Sequence, residues 1–337
     1  MGYFCLEWTG RFWYLSGMAY QFIHLRTHSR FSIGAGTLKI KEIPALCVAA
    51  GMSACALTDT NLMSGTAEFS DVMPKNKVQP IIGIEITLNH HNADPKILRS
   101  ESLSRVVLLA QNHDGYLNLC ELNRIMYMRD DNNHLGPYVT TDELESHSSG
   151  LICLSGAHTG PLGMAILNGQ NDLATMHAKR FLEIFGDRFY IEIQRHGIET
   201  EIKTEPVFLE IATALNIPIV ATNDVCFAAP ENYEAADAMS CVLSQTKVID
   251  PDRCRQSSEQ YFKSSDEMSE LFADLPEALE NTTVISQRCA FMVNVNEKPL
   301  LPKFAANLEE ECRILRENTM IGLKRRLEQH EITDTQP

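Results

Sequence analysis

Residues 22–29 read Phe-Ile-His-Leu-Arg-Thr-His-Ser, an apolar start that gives way to Arg26, Thr27, His28 and Ser29. Such a run reads as a buried strand with a polar tip. The design recurs downstream. Short apolar runs occupy residues 54–57, 80–86, 105–109, 151–154, 189–193 and 217–221, with helical patterns over 40–50, 116–128, 163–185 and 205–215. Strands separated by helices of this length imply parallel pairing through crossovers. The repetition predicts an α/β fold closed, or nearly closed, into a barrel; a doubly wound open sheet is the competing architecture. The position of the polar residues favours the barrel. His28, Asp59, Glu85, Asn112, Ser155, His196 and Asp224 each stand at or near a strand end. In parallel barrels those ends converge on one rim, the layout of a present or former active site.

Composition narrows the function. Charged residues make up 22% and hydrophobic residues 44% of the 337 positions, as in a globular protein of one large or two ordinary domains. The formal net charge is -15, a surface that repels phosphate backbones and suits a protein partner with a basic face. The ten cysteines are spread singly, without a CxxC pair, as free thiols of a reducing cytoplasm are. No run is long and apolar enough for a membrane span, so no membrane partner is expected. Residues 1–17 hold both tryptophans without a clear period and are expected to be a disordered extension ahead of a true start at Met18, a signal peptide being the weaker reading because Glu7 and Arg11 interrupt the apolar stretch. Residues 18–290 would form the barrel domain. Helical patterns continue at 231–243, 265–272 and 276–288, the last with Pro276 at a first-turn position. Residues 291–337 read as a linker marked by Pro299, Pro302 and Phe304, a charged helix over 308–327, and a frayed tail. The loop 90–100 reads as polar and mobile.

Taken in order, the segment 22–29, Leu57-Thr-Asp59-Thr60, Gly83-Ile-Glu85, Leu154-Ser-Gly156 and Ala221-Thr-Asn-Asp224-Val-Cys226 resemble the PHP domain, named for polymerases and histidinol phosphatase. More narrowly, they resemble the PHP domain that opens the alpha subunits of bacterial replicative polymerases of the polymerase III type. Residues 108–119, 189–197 and 262–268 support the likeness, which runs from about Tyr20 to Phe304. The resemblance implies a distorted, TIM-like (β/α)7 barrel. In members with an intact site it implies two or three divalent ions, zinc or manganese, held at the barrel mouth by His, Asp, Glu and Cys, which clamp the attacking and leaving oxygens of a phosphate.

Position by position, the family's ligand pattern is mostly lost. Its paired histidines fall on Arg26 and His28, its next acid on Ala35, and its second-motif histidine on Thr60. Glu85 is kept. A strand-opening histidine falls on Arg105, a cysteine on Ala157, and the last pair on Asp224 and Cys226, where a histidine is expected. His28, Glu85 and Asp224 are the survivors and would be the ligands of any remaining metal. Cations at Arg26 and Arg105 would repel metal and pair with the leftover carboxylates. The expectation is therefore a vestigial metal-site cleft with no catalytic residue and no cofactor in this chain, and with Asp59 and His196 as rim candidates. Simpler explanations cover the other signals. His24 suits a hydrogen-bonded core histidine, Asp59 a cap, Cys226 a buried small hydrophobe, and Glu309-Glu310-Glu311 a helix start.

The resemblance implies a structural module of a cytoplasmic replicative polymerase that docks the proofreading exonuclease subunit and the rest of the polymerase core. The magnesium-dependent palm and the DNA contacts would lie in domains absent from this chain, so the chain alone would not polymerise DNA. Two other readings stay open: an active metal-dependent PHP phosphoesterase (phosphatase, exonuclease or pyrophosphatase), and an unrelated barrel hydrolase using His28 and Asp224.

Overall fold

The computed structural model describes residues 22–90, 103–129, 136–250, 253, 255–295 and 303–329. The extension at 1–17, Met18, most of the 90–100 loop, Pro299, Pro302 and the tail lie outside them. The chain divides into two compact units, one ending at Val295 and one beginning at Asn296.

The first unit is built on a mixed sheet of β1 (Ala54–Leu57), β2 (Gln79–Asn89), β3 (Leu103–Ala110), β4 (Val139–Thr140), β5 (Leu151–Leu154), β6 (Phe189–Ile193) and β7 (Ile219–Ala221). The order is β1-β2-β3-β5-β6-β7, with β4 beside β2. Every residue of β1, β5, β6 and β7 is buried, which explains why these strands read as apolar runs without alternation.

Residues 22–29 close this sheet on itself without forming a regular strand. His24 bridges to Cys55 beside β1, and Thr27 bridges to Val225 beyond β7. Backbone hydrogen bonds hold both seams: Ala56 N donates to His24 O, His28 N to Val225 O, and Val225 N to Arg26 O. The stretch that suggested the fold is thus the piece that turns an open sheet into a barrel.

One expectation fails. Pairing is not parallel throughout, because β3 runs antiparallel to both β2 and β5. No helix separates β2 from β3 in the described chain, and a direct return without a crossover requires antiparallel pairing. The start of β3, not its end, therefore reaches the rim where the parallel strands finish. Arg105 arrives at the mouth for that reason. Asn112, expected at the same rim, lies at the opposite end, where its side chain accepts a hydrogen bond from Gly115 N at 3.0 Å and caps α3 (His113–Met128).

The helices surround the sheet. The pattern at 163–185 is two helices, α5 (Pro161–Leu167) and α6 (Asn171–Phe185), parted at Gly169, whose φ of 73° is left-handed. The pattern at 205–215 belongs to a longer α7 (Glu199–Leu215) that carries Pro206 in its interior. α1 (Ile43–Ala49), α8 (Tyr233–Ser244), α9 (Ser265–Leu271) and α10 (Pro276–Arg288) match the sequence patterns, with Pro276 in the first turn of α10. Not anticipated are α2 (Thr66–Lys75) and the short α4 (Thr141–Ser146), although α4 carries a capping box of Thr140 and Glu143 that its sequence displays. In the second unit, α11 (Leu308–Gln329) buries none of its residues.

Candidate functional site

At the rim, a cleft of about 230 Å³ is lined by Arg26, His28, Ala35, Thr60, Arg105, His196, Asp224 and Cys226 among others. Eight of the positions proposed from sequence thus meet at one mouth. Glu85, fully buried, lies directly beneath it. Ala157 is buried in the turn after β5, at a left-handed φ of 48°, and its neighbours His158 and Thr159 line the cleft instead. Asp59 does not face the cleft. Its carboxylate accepts hydrogen bonds from Ser29 N, Ser29 Oγ and Ser32 Oγ at 2.6–2.7 Å, so it fixes the loop that follows the first segment.

The centre of the site is the Arg26 guanidinium. It is buried, with Nη2 donating to Glu85 Oε1 at 2.7 Å and Nη1 to Glu192 Oε1 at 3.2 Å. Nε lies 2.9 Å from Asp224 Oδ1 as an ion pair. One cation thus faces three carboxylates. Burial acts against the charge on Arg26, but Asp224, Glu192 and Glu85 outweigh it and raise its pKa further above the ordinary arginine range. Burial likewise acts against the charge on Glu85, yet Arg105, Arg26 and His28 bring its carboxyl down to about 2. Asp224, against the same penalty, is held well below its ordinary value by Arg26 and His28.

The remaining donors complete this network. His28 Nε2 meets Asp224 Oδ1 at 2.9 Å, and its Nδ1 meets Ser32 Oγ at 3.2 Å. Burial opposes its protonation, but the Asp224 hydrogen bond and the charges of Glu85 and Asp224 raise its pKa. Thr60 Oγ1 donates to Glu85 Oε2 at 2.7 Å, and Arg105 Nη1 lies 3.4 Å from Glu85 Oε1. Gln260 Nε2 donates to Asp224 Oδ2 at 2.7 Å. His196 lies between Glu201 Oε1 at 2.6 Å and the Asn223 carbonyl at 2.8 Å, so both ring nitrogens are engaged. Burial, with the charges of Asp224 and Glu85, raises the Cys226 thiol well above its ordinary pKa, so it stands in the site as a neutral thiol.

Sequence reasoning missed Glu192, which is fully buried and bonded to Arg26, Thr222, Gln194 and the Gly156 backbone N–H. The signal was available: an acidic residue inside the apolar run Phe-Tyr-Ile-Glu-Ile must find a cation or several donors, because an unpaired buried carboxylate is too costly.

A metal cluster of the kind expected at such a mouth does not fit these residues. A divalent ion needs the lone pairs of Glu85 and Asp224, and these already face a guanidinium. A second cation there would sit within a few ångströms of Arg26, in a poorly screened interior. Among the described residues, no group of three or more His, Cys, Asp or Glu is gathered in metal-holding geometry.

The fold and the site together define a barrel whose strand tips gather charged side chains at one closed rim, with an internal cation at their centre. The chain belongs to the PHP domain family, whose profile matches residues 24–196. Three curated relatives are each a DNA polymerase III subunit alpha. That of Caulobacter vibrioides is 40% identical over 308 residues, 91% of this chain and 27% of the relative. That of Rickettsia bellii is 37% identical, covering 92% of this chain and 26% of its own. That of Pseudomonas aeruginosa is 36% identical with the same two coverages, 92% and 26%. The chain thus spans about a quarter of the length of these relatives. Among solved structures, an amidohydrolase from Chromobacterium violaceum overlaps 60% of this chain and 87% of its own at 13% identity, with a TM-score of 0.43.

Proposed function

We propose that this chain is the PHP barrel of a replicative polymerase of the DNA polymerase III alpha type, serving there as a structural and docking module and not as a metal-dependent phosphoesterase. The observation that carries the reading is Arg26, whose guanidinium meets Glu85, Glu192 and Asp224 where relatives with an intact site would bind cations. Internal neutralisation keeps the rim folded around a fixed charge and removes the Lewis acid that phosphoester cleavage by two metals needs. The net charge of -15 supports a partner with a basic face over direct contact with DNA. The proofreading exonuclease subunit is the partner proposed, with the remainder of the polymerase core as the second neighbour, and DNA engaged through other parts of the longer relatives. No helix of the described chain is long and apolar enough to cross a membrane.

The test is co-purification of the full chain with the exonuclease subunit from the same cell, followed by size-exclusion chromatography at micromolar concentration. Co-elution is expected. Separate elution, or manganese-dependent phosphodiesterase activity that Glu85→Gln abolishes, would contradict the reading.

A further inference from the structure

Helix α8 carries apolar residues on both of its sides. On the inner side Ala236 and Cys241 are buried, beside Asp237, whose carboxylate is paired with Arg253. The outer side repeats the apolar pattern at helical spacing. Ala235, Ala238, Met239 and Val242 stand at i, i+3, i+4 and i+7, with Leu243 beside them, and all five are exposed. Val242 is 73% exposed and Met239 50%. A helix that is apolar all round is ordinarily enclosed, and a contiguous exposed apolar patch marks a contact surface. The patch extends past the helix. Val248 and Ile249 follow it, both exposed, and Gly34 packs against the Leu243 side chain and so sets the exposed Ile33 next to it.

The charges flanking the stripe point to its occupant. Glu231 and Glu234, both exposed, stand at the amino end of α8, and the exposed Lys247 lies just beyond its carboxyl end. Asp250 turns its carboxylate onto the Lys247 backbone N–H at 2.8 Å. The order along the face is acid, apolar, base. Met239 is the midpoint of the stripe 235–243 and also of the interval from Glu231 to Lys247. Two such helices laid antiparallel therefore complement each other: the apolar stripes meet, and the acids of each copy approach the lysine of the other. Parallel pairing would set acid against acid. Complementarity of a surface with itself about one point is what a two-fold interface requires.

We infer that the chain associates with a second copy of itself through antiparallel α8 helices, with Met239 facing its own copy on the two-fold axis. The face on offer is one helix of 12 residues with its flanks, smaller than an obligate interface, so the dimer forms reversibly at micromolar concentration. This contact lies outside the rim cleft and is independent of the docking role proposed above.

The test is sedimentation velocity of the full chain from nanomolar to high micromolar concentration. A monomer that passes to a dimer as concentration rises is expected. Met239→Glu and Met239→Lys should each weaken the dimer about tenfold or more, because each new charge meets its own copy across the axis. Mixing the two variants should restore association, since glutamate then faces lysine. Met239 is exposed and both replacements are good helix formers, so the helix is kept. A monomer at every concentration, a dimer indifferent to Met239→Glu, or a mixture that stays monomeric overturns the inference. Release of the exonuclease subunit by Met239→Glu, in a chain that does not self-associate, gives this face to that subunit: the inference falls and the docking role stands. Self-association without any exonuclease co-elution has the converse meaning.

Discussion

Arg26 stands where removing one atom group exposes the most. Replacing it with methionine keeps the volume but leaves the buried Glu85 and Glu192 and the part-buried Asp224 without their shared counter-charge. The loss expected is about 3–5 kcal/mol in urea unfolding, unless the site recovers by binding a metal or protons. His24 gives a second test. Its Nε2 meets the Lys263 carbonyl at 2.9 Å in a fully buried setting, and burial lowers its pKa from 6.5 to about 4. A histidine depressed in the folded state gains its proton on unfolding. Stability from a neutral His24 is therefore complete above pH 6.5 and is lost as the pH falls towards 4. His28 and His196, both raised, act in the opposite sense: their contribution is present below the ordinary histidine value and is lost as the pH rises through their folded values. Ring-carbon NMR over a pH titration should show His24 losing its proton at a lower pH than His28 and His196. Reversal of that order would contradict the network drawn here. At this scale much was legible. His28, Arg26, Arg105, Glu85 and Asp224 each announced a charge at a strand tip, and the structure brings them together. Glu192 escaped because it is surrounded in sequence by strand-forming apolar residues, and its partners come from three other segments.

Among the elements, the antiparallel β3 governs where the side chains go. Apolar runs do not reveal strand direction when both faces are buried, since the alternation that would mark register is missing. The reading of seven parallel units therefore placed Asn112 at the mouth in error. It placed Arg105 there by likeness to the family pattern alone, and the direction of β3 supplies the physical reason. The turn after β5 shows how tightly this junction is built. Gly156 has a φ of 81°, and a Cβ added to it would lie 1.8 Å from the Arg105 carbonyl oxygen. Gly156→Ala is expected to cost on the order of 3 kcal/mol through clash and backbone strain together, and to pull Arg105 away from Glu85. Chemical denaturation measures the first effect. A wild-type midpoint in this variant would mean the junction is looser than drawn.

For the molecule as a whole, closure and charge are the properties that matter. The segment 22–29 seals the barrel between β1 and the chain beyond β7, and the same segment delivers Arg26 and His28 to the rim. One segment thus both closes the sheet and neutralises the site. The barrel itself was legible from the recurrence of polar strand tips; the closing seam was not, because it consists of isolated bridges with no strand pattern. At this scale the net charge predicts that the chain does not shift duplex DNA in a native gel at physiological salt. The central claim is that the Arg26 guanidinium, and no metal ion, neutralises the rim carboxylates. Elemental analysis of the full chain, purified from medium supplemented with zinc and manganese and then desalted, tests it most directly. The account predicts no tightly held zinc or manganese, with one ion or more regained on replacing Arg26 with histidine. Two stoichiometric ions in the unmodified chain would contradict it.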